Sequence, residues 1–188
     1  FVYDNRTSVL SDNIGGISAL VHYIYEMGHR RIAFIHGEDT SVTQKRLISF
    51  HKTCASLGMR VPEYYVKPAL YHDPKLSGLA TRELLALSDR PTCILYPDDF
   101  SFIGGMNELE RQGISIPDDM SVAGYDGTLL SQVLRPRLTT YHQDAEAMGC
   151  EAAAKLVELI EQPKTSLPQQ IMVSGQLLKG DTIKNINE

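Results

Sequence analysis

Long hydrophobic runs, paired cysteines and an excess of positive charge are all missing from this 188-residue sequence. No apolar run approaches the roughly 20 residues that a membrane-spanning helix needs, so we expect no contact with a membrane. Aspartate and glutamate number 23 against 18 lysines and arginines, which gives a net charge of −5. Because non-specific nucleic-acid affinity comes mainly from neutralising phosphates, the chain by itself is a poor candidate for binding DNA.

Cysteine is scarce, and the common metal, redox and enzyme motifs are absent. Cys54, Cys93 and Cys150 form no CxxC pair, and we expect three buried, reduced thiols in a cytoplasmic protein. His51 and Cys54 stand at helical spacing, but two candidate ligands without a second pair do not predict a metal site. The sequence also lacks GxGxxG, GxxxxGK[ST], HExxH and GxSxG. We therefore expect no metal, no cofactor and no enzymatic activity.

The sequence does contain a regular alternation of short apolar runs and amphipathic segments. Ile32–His36, Tyr64–Lys67, Thr92–Tyr96 and Ser121–Tyr125 predict buried strands. Apolar residues at helical spacing predict helices over residues 14–27, 43–57, 74–87, 98–112 and 144–161. This order predicts an α/β fold, a doubly wound parallel sheet with helices on both faces and right-handed crossovers.

The last part of the chain departs from this rhythm. Leu130–Thr140 is predicted to be a proline-containing loop that leads into a short strand, and Gln170–Val173 a final strand. Asp144 is a predicted cap of the long helix 144–161. We expect the apolar residues of that helix to face inward, namely Met148, Ala152, Leu156, Leu159 and Ile160.

Polar residues follow the predicted strands, and ligands bind at the carboxyl ends of the strands in an open α/β sheet. We expect six residues at that edge: Asp4, Arg46, Tyr71, Asp98, Asp99 and Asp126. Asp4 is included because it follows a predicted opening strand, Phe1–Tyr3. Carboxylates and an arginine fork suit a polyhydroxylated ligand, and an aromatic ring can cover the apolar face of a sugar. The alternative is that Asp98 or Asp99 only caps the helix that follows it.

Several segments together resemble the LacI family of bacterial transcription regulators. Ser11–Gly16 and Gly28–Ile35 resemble its "DNxGG…GHRRIAFI" stretch, and Ile116–Asp126 resembles "IPxDxSVxGxDD". Further matches are Arg46 with Phe50 for "RxxGF", Pro91 to Gly104 for "PTAIxxxNDxxAxG", and Leu138 to Gly149 for "LTTxxxDxxxMG". The resemblance extends over residues 11–182, although Ser49 and Gly127 replace the usual glycine and second acid.

This resemblance implies a periplasmic-binding-protein-like core of two lobes, of which the chain contains mainly the second. It divides the chain into residues 1–5 at the end of the first lobe, 6–140 in the second lobe, 141–167 as a crossover strand and helix of the first lobe, and 168–188 as a return strand and tail of the second lobe. A small-molecule effector binds between the lobes in this family, and closure of the lobes changes DNA affinity through a helix-turn-helix. The chain looks cut from a longer protein, since it opens at Phe1 and lacks that DNA-binding head.

The resemblance also assigns roles to individual residues. Asp4 falls on an effector-facing position, Arg46 on the arginine that clamps the effector, and Asp126 on the aspartate that accepts its hydroxyls. Tyr71 lies near the family's aromatic wall. Asp98 stands where sugar-binding members commonly carry asparagine, so it adds a charge and removes a donor. This departure favours a donor-rich or cationic ligand, or an ion pair between Asp98 and Arg46.

Three functions remain open at this point. The first is the effector-sensing domain of a LacI-type regulator, a homodimer that binds a sugar or sugar derivative and reaches DNA only through its missing head. Leu76, Leu79 and Phe102–Met106 are candidates for the dimer surface or for the core. The second is a secreted solute-binding protein of the same architecture, and the third a small α/β enzyme that uses Asp98 or Asp99.

Overall fold

The computed structural model describes residues 6–162 and 167–187. Asp4 and the predicted opening strand Phe1–Tyr3 lie outside this range. The strands are β1 (Ser8–Ser11), β2 (Ile32–His36), β3 (Val66–Pro68), β4 (Cys93–Leu95), β5 (Ser121–Asp126), β6 (Thr139–His142), β7 (Gln170–Val173) and β8 (Gln176–Leu178). The helices are α1 (Asn13–Glu26), α2 (Ser41–Ser56), α3 (Pro74–Leu85), α4 (Asp99–Arg111), α5 (Leu129–Val133) and α6 (Ala145–Glu161).

A six-stranded sheet in the order β3-β2-β4-β5-β6-β8 forms the centre of the molecule. Its neighbours pair in parallel, except that β8 runs antiparallel to β6. The short strands are apolar because both faces of the sheet are covered by helices. The predicted α/β fold with a doubly wound parallel sheet is confirmed.

Alternate residues of each strand enter two separate hydrophobic cores. Phe34 and Leu95 point to the face covered by α1 and α2, together with Ile17 and Phe50. Ile35 and Ile94 point to the opposite face, among residues of α3 and α4 that include Leu84, Phe102 and Leu109. Phe102 is 1% exposed, which places it in the core and not on a dimer surface.

Helix starts follow the capping residues in the sequence. The side chains of the N-caps Asp12, Thr40, Asp73, Asp98 and Asp144 each accept a hydrogen bond from the backbone N–H three residues later. Such caps satisfy one of the otherwise unpaired N–H groups in the first helical turn. They also fix where each loop ends at the carboxyl edge of the sheet.

Helix α6 contradicts the expectation of an inward apolar face. None of its described residues is buried, and Leu156 and Ile160 are 59% and 70% exposed. The helix packs against β1, which pairs in parallel with β7 in a separate two-stranded sheet. An apolar face becomes buried only when another layer covers it, and this chain supplies no such layer among its described residues.

Smaller differences concern short elements and one cysteine. Residues Glu63–Tyr65 form a 3₁₀ turn before β3, and α5 occupies part of the predicted loop Leu130–Thr140. Cys150 is exposed on α6, so the expectation of three buried thiols is wrong for it. Within the described ranges, no helix is both long and apolar enough for a membrane span.

Candidate functional site

A cavity of about 670 Å³ opens at the carboxyl ends of the parallel strands. Its volume lies within the range of small-molecule sites. The lining residues come from β1, α1, α2, α6, the end of β5 and the loops after β2, β3 and β6. They are Val9, Leu10, Ser11, Asn13, Glu38, Thr40, Ser41, Val42, Lys45, Arg46, Tyr71, His72, Asp126, Gln143 and Met148. Charged, amide, hydroxyl and aromatic groups therefore converge on one concave surface.

Arg46 lies in this cavity wall, held in a fixed orientation. Its Nε donates to Asn13 Oδ1 at 2.8 Å, and its Nη1 donates to the Pro97 carbonyl oxygen at 2.9 Å. The guanidinium carbon lies 3.6 Å from the Tyr125 ring centroid and 5.4 Å from that of Tyr71. A planar cation held by two hydrogen bonds and a stacked ring is pre-organised to use its remaining N–H groups on a ligand.

Tyr71 forms an aromatic wall because Gly37 leaves room for its ring. A Cβ atom at Gly37 would overlap the Tyr71 ring. The Tyr71 hydroxyl hydrogen-bonds Thr43 Oγ1 at 3.0 Å, and its backbone N–H donates to Glu38 Oε2 at 2.9 Å. These contacts tie the loop after β3 to the start of α2, beside Arg46.

Two residues of the cavity wall adopt a backbone conformation with positive φ, which residues other than glycine rarely adopt. His72 has a φ of 55° and Asp126 a φ of 102°. Strained residues of this kind concentrate at functional sites, where the surrounding structure holds them in place. The Asp126 carboxylate accepts a hydrogen bond from Gln143 Nε2 at 2.6 Å.

Burial raises the pKa of Asp126 to about 6, although the nearby Arg46 opposes the shift. In the unfolded chain the same carboxyl has its ordinary value of 3.8. The folded protein therefore holds a proton that the unfolded chain has released, and stability falls as the pH rises from about 4 to about 6. Above that window, the ionised carboxylate is a cost to folding.

Asp126→Asn is therefore expected to stabilise the fold at pH 7.5 by about 1 to 2 kcal/mol. At pH 3.5 the two proteins should unfold alike, because both then carry a neutral side chain. Urea unfolding of variant and wild type at each pH measures the difference. If Asp126→Asn raised the free energy of unfolding equally at both pH values, the charge of Asp126 could not be the cause.

Asp98 and Asp99 are both bound within the fold. Asp98 is 1% exposed and accepts from Ser101 N at 2.7 Å, Ser101 Oγ at 2.8 Å and His72 N at 2.9 Å. Asp99 accepts from Thr140 Oγ1 at 2.6 Å and Thr128 N at 2.7 Å, and burial raises its pKa. Asp98 thus has the geometry of the helix-cap alternative, and it also holds the strained loop at His72.

Three of the predicted site residues, Arg46, Tyr71 and Asp126, meet in the cavity. Asp98 lies close to it through His72 but is not one of its lining residues. Asn13, Lys45 and Gln143 also line the cavity, and they are not among the residues expected at the strand ends. Helical spacing could have indicated Lys45, since positions 42, 45 and 46 share a face with Ser41. Among the described residues, no group of histidines, cysteines and acids could hold a metal ion.

Comparison with known proteins gives a consistent set of relatives. A family model described as a periplasmic binding protein-like domain matches residues 21–183. A Bacillus subtilis protein named "Probable HTH-type transcriptional repressor ExuR" is 32% identical over 97% of this chain and 55% of its own length. The HTH-type transcriptional repressor CytR of Escherichia coli is 28% identical over 91% of this chain and 50% of its own length. The chain spans about half the length of these curated relatives.

Solved structures share the same fold. A LacI-type transcriptional regulator from Bacillus cereus superposes with a TM-score of 0.89 at 29% identity, covering 96% of this chain and 64% of that one. The regulator CelR in complex with cellobiose gives a TM-score of 0.88 at 28% identity, covering 95% of this chain and 54% of that one.

Proposed function

Because this chain belongs to the periplasmic binding protein-like family, as the effector-binding domain of a LacI-type regulator, we propose that it senses a sugar or similar small molecule. The cavity at the carboxyl ends of the strands is the observation that carries the proposal. It combines an anchored cation, an aromatic ring, a strained aspartate and a neighbouring amide. These are the groups that recognise a polyhydroxylated ligand by forked hydrogen bonds and ring stacking.

We assign direct effector contacts to Arg46, Tyr71 and Asp126, and the resemblance to the family assigns one to Asp4, which lies outside the described residues. In this proposal Asp98 does not contact the effector. It holds the loop at His72 in place by accepting a hydrogen bond from the His72 backbone N–H. Asp98 and Asp99 use their oxygens within the fold, which argues against an enzyme built on that pair. The relatives are named as transcriptional repressors, which supports a cytoplasmic regulator.

The domain division also enters the proposal. Residues 6–140 and 168–188 form the second lobe, and residues 141–167, with α6, belong to a first lobe together with residues 1–5. The exposed apolar side chains of α6 support this division, because they need a covering layer. We place DNA binding in a helix-turn-helix outside this chain, controlled by closure of the lobes.

Isothermal titration of the full-length protein against neutral, acidic and phosphorylated sugars and nucleosides tests this function. At least one compound is expected to bind, and the same compound should change the affinity for operator DNA in a gel-shift assay. A folded protein that gives no heat with any of these compounds would overturn the proposal.

We further propose that the regulator is a homodimer that pairs through the α3–α4 face. Leu79 on α3 is 41% exposed, whereas the neighbouring candidate Phe102 is core. Leu79→Glu is expected to weaken dimerisation at least about tenfold, which corresponds to about 1.4 kcal/mol. Sedimentation at several concentrations measures this, and Ile48→Glu on the outer face of α2, 49% exposed, is the control. A Leu79→Glu protein that stays dimeric would contradict the assignment.

A further inference from the structure

Lys45 is a cation in the cavity wall that the fold itself does not use. Its partly buried side chain lines the cavity next to Arg46. Its ammonium group has no hydrogen bond or ion pair within residues 6–162 and 167–187. Among the other described lysines, Lys67, Lys155 and Lys184 pair with carboxylates, whereas the exposed Lys52 and Lys75 do not.

The lack of a partner is notable because two carboxylates line the same cavity. Glu38 instead accepts a hydrogen bond from the backbone N–H of Tyr71. This bond lowers the pKa of the Glu38 carboxyl group and so favours its ionised form. Asp126 accepts from Gln143. Neither carboxylate forms an ion pair with Lys45. Both carboxylates have donors of their own, whereas the ammonium group has no acceptor in the part of the chain that the structure describes.

The position of Lys45 on α2 brings this unused charge to the cavity wall. Side chains on a helix lean towards the helix N-terminus, and α2 begins at Ser41. Lys45 therefore lies over Ser41 and Val42, which line the cavity as well. Next to it, Arg46 makes two hydrogen bonds to the protein through Nε and Nη1. Arginine and lysine have only donors to offer, so this part of the wall requires acceptors from a ligand.

We infer that the effector is an anionic polyhydroxylated molecule whose carboxylate or phosphate group binds Lys45. A neutral sugar would leave the ammonium group without a counter-charge in a partly enclosed site. An anionic group would form a charge-assisted hydrogen bond there, and such bonds are stronger than neutral ones. This inference rests on the proposed function of the cleft and specifies the chemical class of its ligand.

The test is isothermal titration of the full-length protein with a matched panel of hexoses and pentoses, the sugar acids made from them, and their monophosphates. We expect the tightest ligand to be anionic and to bind at least about tenfold more tightly than its neutral parent. The acid and phosphate arms show which anionic group the site accepts. Lys45→Met should weaken binding of that ligand about tenfold or more, a larger loss than for the neutral parent.

Lys52→Met is the matched control, because Lys52 is exposed further along the same helix and should have no effect. Circular dichroism verifies that both variants are folded. Equal binding of neutral and anionic sugars, or an unchanged affinity in Lys45→Met, would overturn the inference and leave the proposed function intact. If no compound of the panel binds, this inference fails, and the proposed function fails with it only if nucleosides give no heat either.

Discussion

Replacing Arg46 with alanine is expected to reduce effector affinity by about 30- to 1000-fold, or about 2 to 4 kcal/mol. The guanidinium is held by Asn13, Pro97 and the ring of Tyr125, so its free N–H groups need no reorganisation to meet a ligand. The change also leaves the buried Asn13 amide oxygen and the Pro97 carbonyl without their donor, which lowers the stability of the fold. Binding should be measured by titration at a temperature where circular dichroism shows the variant folded.

Arg46→Lys separates charge from geometry. Lysine keeps the positive charge but cannot donate in the planar fork that serves Asn13, Pro97 and a ligand together. We therefore expect Arg46→Lys to reduce effector affinity by almost as much as Arg46→Ala does. Arg137→Ala is the control, since Arg137 is exposed and paired only with Asp181 among the residues described. A folded Arg46→Ala protein that binds within threefold of the wild type would refute the role of Arg46.

Gly104→Ala should destabilise the protein by about 3 kcal/mol, because it forces apart two closely packed helices. A Cβ atom at Gly104 would overlap the backbone carbonyl of Pro74 at the start of α3. Backbone cannot move aside as a flexible side chain can, so α3 and α4 must separate. Thermal unfolding should show a midpoint lower by roughly 10 °C for a domain of this size.

Gly149→Ala is the matched control for this prediction. Gly149 lies in α6, and a Cβ atom there meets nothing within 4 Å. Alanine costs less backbone entropy than glycine in a helix, so this variant should be neutral or more stable by up to about 1 kcal/mol. Equal unfolding midpoints for Gly104→Ala and the wild type would contradict the close packing of α3 on α4.

Local sequence patterns were enough to predict the order of helices and strands, and which residues lie at the carboxyl ends of the parallel strands. The apolar runs at Ile32–His36 and Ser121–Tyr125 and the cap at Asp144 occur as predicted, since strands and caps depend on neighbours in sequence. The short strands β1 and β8 were not predicted. They are three or four residues long, and they pair with strands that lie far away along the chain.

The site was predictable in location but not in its details. Strand ends must meet at one edge of a parallel sheet, so Arg46, Tyr71 and Asp126 could be grouped from the sequence. Spacing could not separate an aspartate that faces a cavity from one that caps a helix. Asp98 and Asp126 both follow strands, yet Asp98 is 1% exposed with its oxygens bound to Ser101 and His72. The fold separates them by the hydrogen-bond donors it places around each carboxylate.

The sequence by itself determined the fold class, the helix starts to within two residues and the family, because periodicity, capping and motif spacing are properties of neighbouring residues. The tertiary structure alone decided which charges are left for a ligand. Arg46 is anchored between Asn13 and Tyr125, while Lys45, one position earlier, has no partner among the described residues. It also decided that the apolar face of α6 stays exposed, since burial requires a surface contributed from elsewhere.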